Sequence, residues 1–218
     1  MNVNPRLRTA QKRRTRKAIV DAAIALLANG KTPTVNDVAV AAEVSRRTVY
    51  LYFPSFDQLL LDATIGALSQ ASVDRAIDEA SDDGEARVEH LVRALHHVSP
   101  EVERLGRSLI RLTVDGAPSE QGVPRRGYRR IEWIEQALSP LRDRLKPNGW
   151  NRLVHALAMV IGWEALIVQR DICGLSVAEG EDLSVWTANA LVKAALEEEQ
   201  KAGAPRSGRR KNKDKLAK

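Results

Sequence analysis

Apolar positions recur at three- and four-residue steps along most of the chain, and no stretch alternates apolar and polar residues as a half-buried strand would. From Thr15, residues Ile19, Ala22, Ala23, Leu26 and Leu27 share one helix face, and Asn29-Gly30 supplies the stop. Thr34 opens a second helix; with Asp37 three residues on it matches a capping box, and Val35, Val38, Ala39 and Ala42 form the buried face. After the short turn Glu43-Val44, Ser45 is the N-cap of a third helix through Tyr52, with Val49 and Phe53 pointing inward. Pro54-Ser55 breaks this helix and caps a long fourth one over about 56–80, which ends near Ser81-Asp82-Asp83-Gly84. Further helices are predicted over 85–98, 101–114, 125–146, 149–173 and 181–201. They are separated by Ser99-Pro100, the 116–124 loop, Pro147-Asn148-Gly149 and the 174–180 loop. The pattern predicts an all-α chain.

Composition agrees: alanine and leucine are abundant while aromatics make up only 4%, a balance that favours helices over sheets. The net charge of +6 matters less than its distribution. Residues 1–60 carry ten basic and four acidic side chains, net +6; residues 201–218 carry eight and one, net +7; the middle carries net −7. Two basic ends flanking an acidic middle suit a chain whose ends meet a polyanion. Residues 1–14 read as a basic flexible arm and 203–218 as a basic disordered tail. The basic stretch Lys12–Lys17 followed by apolar residues looks superficially like a signal peptide, but Asp21 interrupts it and the spacing is helical. No apolar run approaches the roughly 20 residues that span a bilayer, so no membrane partner is expected. Cys173 is the only cysteine, which excludes an intrachain disulfide and fits a reducing, cytoplasmic location.

The segment from Thr34 to Leu60 carries the chemistry. Two short helices joined by a tight turn can set the second in a DNA major groove. Ala39 and Ala42 are small where the helices must cross, and Val35, Val38, Val44 and Val49 anchor them. Arg46, Arg47, Thr48 and Tyr50 are left facing outward. Arginine can donate two hydrogen bonds to guanine O6 and N7, and threonine can meet a thymine methyl or a phosphate. Tyrosine can donate its hydroxyl to a phosphate. Thr34 and Ser45 sit at helix N-termini, whose free amides attract phosphate oxygens.

This segment resembles the N-terminal domain of the tetracycline-repressor (TetR) family. The resemblance covers about Arg16 to Leu68. It rests on the helix ending Leu26-Leu27-Ala28-Asn29-Gly30, on Thr34-Val35-Asn36-Asp37-Val38-Ala39, and on Val44-Ser45-Arg46-Arg47-Thr48-Val49-Tyr50-Leu51-Tyr52-Phe53. It implies an all-α homodimer. Residues 15–60 would form a three-helix helix-turn-helix domain that binds a palindromic operator in double-stranded DNA. Residues 61–202 would form a helical ligand-sensing and dimerisation domain. Carried over by position, Thr34 is a phosphate-contacting cap, Arg46, Arg47 and Thr48 read bases, and Tyr50 and Tyr52 meet the backbone. The chain departs from the family pattern at Glu43, where glycine is common, and at Phe56, where a phosphate-contacting lysine is common. Arg13, Arg14, Arg16 or Lys17 of the arm could replace that charge, by entering the minor groove.

The resemblance also directs attention to the last long helices. Leu153, Leu157 and Val160 on one, and Trp186 and Leu191 on the next, are expected at a dimer interface, paired as a four-helix bundle. Trp133, with Leu109 and Trp163, is the expected lining of a pocket for a small apolar or aromatic ligand. His90, His96 and His97 lack further ligands at a metal spacing and are expected to be solvated or core side chains. Cys173 reads as a small apolar filler rather than a redox sensor. No cofactor or metal is expected, and no nucleophile elbow, phosphate loop or paired-acid site suggests an enzyme. The expected function is a repressor released from its operator by a small molecule. The alternative is a DNA-binding module gated by a protein partner or acting architecturally.

Overall fold

The computed structural model describes residues 5–29, 33–97, 100–114, 126 and 128–203. Among these residues all regular structure is helical: α1 (Pro5–Ala28), α2 (Val35–Ala41), α3 (Arg46–Tyr52), α4 (Phe56–Asp78), α5 (Gly84–His96), α6 (Pro100–Val114), α7 (Tyr128–Ala137), α8 (Pro147–Val160), α9 (Trp163–Ile167) and α10 (Val177–Gly203). A 3-10 segment, Ser139–Arg144, follows α7, and a π-helical turn, Val168–Ile172, extends α9. The tail expected at 203–218 lies, beyond Gly203, outside the described residues.

Two apolar cores organise the chain. The smaller joins α1, α2, α3 and the start of α4 through Ile19, Val20, Ala23, Val38, Val49, Phe53 and Leu59, each fully buried. The larger gathers Val73 and Ile77 of α4 with α5, α7, α8 and α10. Helix α4 therefore belongs to both: its first turns close the small core and its last turns enter the large one. Each buried leucine, isoleucine or phenylalanine adds about 1.5–3 kcal/mol of transfer free energy.

Helix starts follow local chemistry. Ser55 Oγ accepts from the Gln58 amide at 3.1 Å to begin α4, and Asp83 Oδ1 accepts from the Glu85 amide at 3.2 Å to begin α5. Several boundaries differ from the sequence expectation. Helix α1 starts at Pro5, not Thr15, and so runs back through most of the segment read as an arm. Proline is tolerated in a first helical turn, and nothing between Arg6 and Thr15 breaks the helix. Helix α10 starts at Val177 because Ser176 and Glu179 form a capping box: the Ser176 amide donates to Glu179 Oε2 at 2.8 Å, and the Glu179 amide to Ser176 Oγ at 3.3 Å. The single helix expected over 149–173 is split at Gly162, whose φ of +113° only glycine tolerates readily.

That split bears on one earlier expectation. Residues 147–172 contain a window of mean hydropathy 1.4, long and apolar enough by composition to cross a membrane. The segment is broken at Gly162, however, and Trp150, Leu153, Val154, Leu157 and Ile161 pack into the large core. Cys173 is exposed, so it is not the apolar filler that its residue type suggested. His96 is buried, with Nε2 3.0 Å from Ser184 Oγ, which also accepts from Gln169 Nε2 at 2.7 Å. His90 is exposed, and no group of residues fit to hold a metal occurs among the described residues.

Candidate functional site

The helix-turn-helix is built from its caps outward. Thr34 closes a capping box on α2: its amide donates to Asp37 Oδ2 at 2.8 Å, and the Asp37 amide donates back to Thr34 Oγ1 at 3.3 Å. Helix α2 ends in a Schellman turn, with the Val44 amide bonded to the Ala39 carbonyl at 2.9 Å and the Glu43 amide to the Val40 carbonyl at 3.1 Å. That geometry forces the residue at Glu43 into the left-handed region, with φ of 54°. The departure noted in the sequence is thus a real backbone strain, since a left-handed residue with a Cβ costs about 1–2 kcal/mol. Glu43→Gly is expected to raise unfolding stability by about 1 kcal/mol, read as the urea midpoint, with the operator site unchanged.

Ser45 Oγ then accepts from the Thr48 amide at 3.0 Å and lies 2.8 Å from Thr48 Oγ1, which starts α3 and pins the threonine side chain. Val49 and Phe53 are fully buried, so the opposite face of α3 must look outward. Arg46, Arg47 and Tyr50 are exposed there, while Thr48 and Tyr52 are half-buried. Two apolar side chains not singled out by the sequence join them: Val40 of α2 and Leu51 of α3 are 74% and 70% exposed. The arginines, the tyrosine hydroxyl and the solvent-facing methyl groups of Leu51 on α3 make a surface that suits base edges and thymine methyls.

The basic residues of α1 separate. Arg13 and Arg14 are exposed. Arg16, expected to meet DNA, is instead 1% exposed. Its guanidinium donates to Asp62 Oδ2 at 3.0 Å and lies 4.1 Å over the Phe53 ring. Helical periodicity turned it inward, onto the face of Ile19 and Val20, so it cannot touch a phosphate. Lys17 is half-exposed and paired with Asp21.

Asp62, the partner of Arg16, also lines a cavity. Its walls include Asp62, Leu109, Arg129, Arg130, Trp133 and Trp163. Leu109, Trp133 and Trp163, distant in sequence, are thus brought together. The polar groups were not foreseen. Arg126 donates through Nε to Glu164 Oε1 at 2.8 Å, and Arg130 donates to Glu164 Oε2 at 2.6 Å. Arg129 reaches out of the cavity to Asp21 Oδ1 at 2.8 Å. The sequence run Arg125-Arg126-Gly127-Tyr128-Arg129-Arg130 was the available signal, but it fell at the start of the helix predicted over 125–146 and was given no role. Burial pushes the Asp62 carboxyl up, against the opposing pull of Arg16 and Arg129. Burial also raises Glu164, but the charge of Arg130 and the hydrogen bonds from both arginines outweigh it and hold the carboxyl below its usual range.

Two glycines make room for the lining. A Cβ on Gly162 would lie 2.4 Å from the Arg130 Cζ, and one on Gly106 would lie 2.3 Å from the Trp163 ring. Gly162→Ala combines this clash with a glycine-only backbone conformation. It is expected to lose about 2 kcal/mol of stability or more, measured by denaturant unfolding.

The residues expected at a dimer surface divide. Leu153 and Leu157 are 3% and 0% exposed within the single chain, so they belong to its own core rather than to a surface. Val160 and Leu191 are half-buried against that core. Trp186 is 69% exposed, and near it in kind are Met159 at 78% and Leu183 at 40%.

Residues 19–63 match the model of the bacterial regulatory proteins, tetR family, a span that holds the whole helix-turn-helix. The HTH-type transcriptional repressor LfrR of Mycolicibacterium smegmatis is 32% identical over 170 residues, covering 74% of this chain and 84% of that protein. Among solved structures, the TetR-like regulator LfrR of Mycobacterium smegmatis in complex with proflavine is 26% identical, over 81% of this chain and 95% of its own, at a TM-score of 0.34. A putative TetR-family regulator from Mesorhizobium loti MAFF303099 is 18% identical, over 88% and 98%, at a TM-score of 0.38. With a capped helix-turn-helix in residues 19–63 and a curated repressor matched across most of its length, the chain belongs to the tetR family of bacterial regulatory proteins and is a DNA-binding transcriptional regulator.

Proposed function

We propose that the protein is a homodimeric repressor that reads a palindromic operator and is released by a small molecule bound in the cavity beside Trp133. The reading assigns 15–60 to DNA and 61–202 to ligand sensing and dimerisation, with α4 spanning the border. One observation carries the ligand step: two cavity-lining side chains also hold the DNA-reading unit. Asp62 pairs with Arg16 and Arg129 pairs with Asp21, both partners lying on α1. Arg16 in turn stacks on Phe53 at the end of α3. A ligand that shifts Asp62 or Arg129 therefore moves the support of the recognition helix.

On a two-fold operator the two α3 helices must sit one DNA turn apart, about 34–36 Å. A ligand that binds better to a state with another spacing depletes the DNA-competent one by its differential affinity. The reading assigns the exposed Met159 of α8 and the exposed Leu183 and Trp186 of α10 to the dimer surface, where pairing would remove their apolar area from water. That the relative LfrR was crystallised with proflavine supports a planar aromatic ligand class.

The test is release of operator DNA, followed by fluorescence anisotropy while a library of small aromatic compounds is screened. Compounds that release DNA are expected to quench tryptophan fluorescence, and Trp133→Ala is expected to weaken release at least tenfold without changing operator affinity. If no compound either releases DNA or raises the melting temperature, the ligand step is wrong, and gating by a protein partner takes its place.

A further inference from the structure

We infer that the cavity takes an aromatic ligand bearing one negative charge, of the aryl carboxylate type, rather than a cation or a neutral ring; this rests on the cavity being the ligand site proposed above. Its wall holds three guanidiniums, those of Arg126, Arg129 and Arg130, against one lining carboxylate, Asp62. Asp62 is already engaged by Arg16, which is inaccessible to solvent. Beyond the lining, Glu164 is the carboxylate that meets Arg126 and Arg130, and it is divided between them, one oxygen to each. Among the described residues, these two positive groups sharing one negative group leave this cluster with one excess positive charge. Arg126 also donates to Thr113 Oγ1 at 2.6 Å, and Arg130 to the Ala158 carbonyl at 3.0 Å. Both guanidiniums are thereby held in place before a ligand arrives, as a recognition fork should be.

The rest of the site supplies the aromatic half. Trp133 is fixed by its indole N–H, which donates to Asp74 Oδ1 at 2.9 Å, and Trp163 packs flat over Gly106, where no side chain could fit. The two indoles with Leu109, Leu95 and Leu166 form an apolar slot beside the arginine pair. An aryl carboxylate would lay its ring in this slot and accept hydrogen bonds from Arg126 and Arg130 in the two-pronged manner that guanidinium favours. A cation placed there would face the Arg126–Arg130 pair, while the lining carboxylate Asp62 is held by Arg16 and Asp74 is turned to the indole N–H of Trp133.

The experiment measures tryptophan quenching and melting temperature with matched probes and no DNA present. The probes are benzoate, 2-naphthoate and anthracene-2-carboxylate, each beside its neutral primary amide, together with an aminoacridine cation. At least one acid is expected to bind tenfold or more tighter than its amide, and tighter than the cation. Arg130→Gln should erase that preference, whereas Glu164→Gln should strengthen the acid severalfold by freeing both guanidiniums. Opposite signs in two substitutions of one ion-pair cluster separate charge recognition from a loss of folding. Amide or cation binding as tightly as the acid, Glu164→Gln weakening the acid, or no saturable binding by any acid would overturn the inference. Added afterwards to the operator complex, an acid that binds with these signatures yet leaves operator binding unchanged upholds the charge class and refutes the release step.

Discussion

Arg46→Ala is expected to cost the dimer about 2–6 kcal/mol of operator binding, a loss of at least about 30-fold in affinity, while leaving the fold intact. Each bidentate arginine–guanine contact is worth about 1–3 kcal/mol of discrimination. A two-fold complex contains it twice, which gives the range. Arg46 is exposed and sits on the first turn of α3, past the Ser45 cap, so its removal disturbs no packing. A surface change of this kind moves stability by no more than about 0.5 kcal/mol. Titration by anisotropy on the selected operator and on a scrambled duplex checks both halves: the gap between the two should narrow. Arg13→Ala should behave differently. Any phosphate contact it makes would weaken both duplexes alike and flatten the log-log salt slope by about 0.9 per phosphate lost.

The second large effect is structural. Arg16→Met is expected to destabilise the protein by about 3–5 kcal/mol, because it strands the Asp62 carboxylate in a site where its partner is 1% exposed. A typical domain has only about 5–15 kcal/mol in total, so the variant should unfold at markedly lower urea. Asp62→Leu in the same chain removes the stranded charge, and the double variant should recover much of the loss, since apolar replacement of a buried pair is often neutral. A double-mutant cycle on the urea midpoints measures this coupling. If Arg16 were a DNA contact, as its place in a basic run suggested, Arg16→Met would instead weaken operator binding without touching stability.

Arg16 also shows where sequence reasoning ends. Composition groups it with Arg13, Arg14 and Lys17, and only its place on the helix face of Ile19 and Val20 separates it. That face was legible, but the partner 46 residues away was not. The helix-turn-helix was readable because its signals are local: a threonine and an aspartate three apart, a serine cap, alanines at the crossing, and valines on one face. At Glu43 the sequence offered only a departure from the family's usual glycine, and the φ of 54° turns that departure into strain. The cavity was half legible. Indoles and leucines announce an apolar slot, but Arg126 and Arg130 acquire meaning only once Gly162 turns the chain and brings Glu164 between them. Leu153 and Leu157 misled for a related reason, since a stripe of apolar residues is the same pattern whether it packs within one chain or between two. The capping box at Ser176 and Glu179 was present in the sequence and lay hidden inside a segment read as loop because of Gly174 and Gly180.

Selection of DNA from a random pool by the purified protein, repeated at several salt concentrations, tests the central claim most directly. The account predicts enrichment of one two-fold symmetric site with half-site centres about one helical turn apart, bound by two chains, and lost with Arg46→Ala or Tyr50→Ala. Binding with no enriched sequence and a steep salt dependence would contradict it, for then the basic charges alone hold DNA and α3 reads nothing.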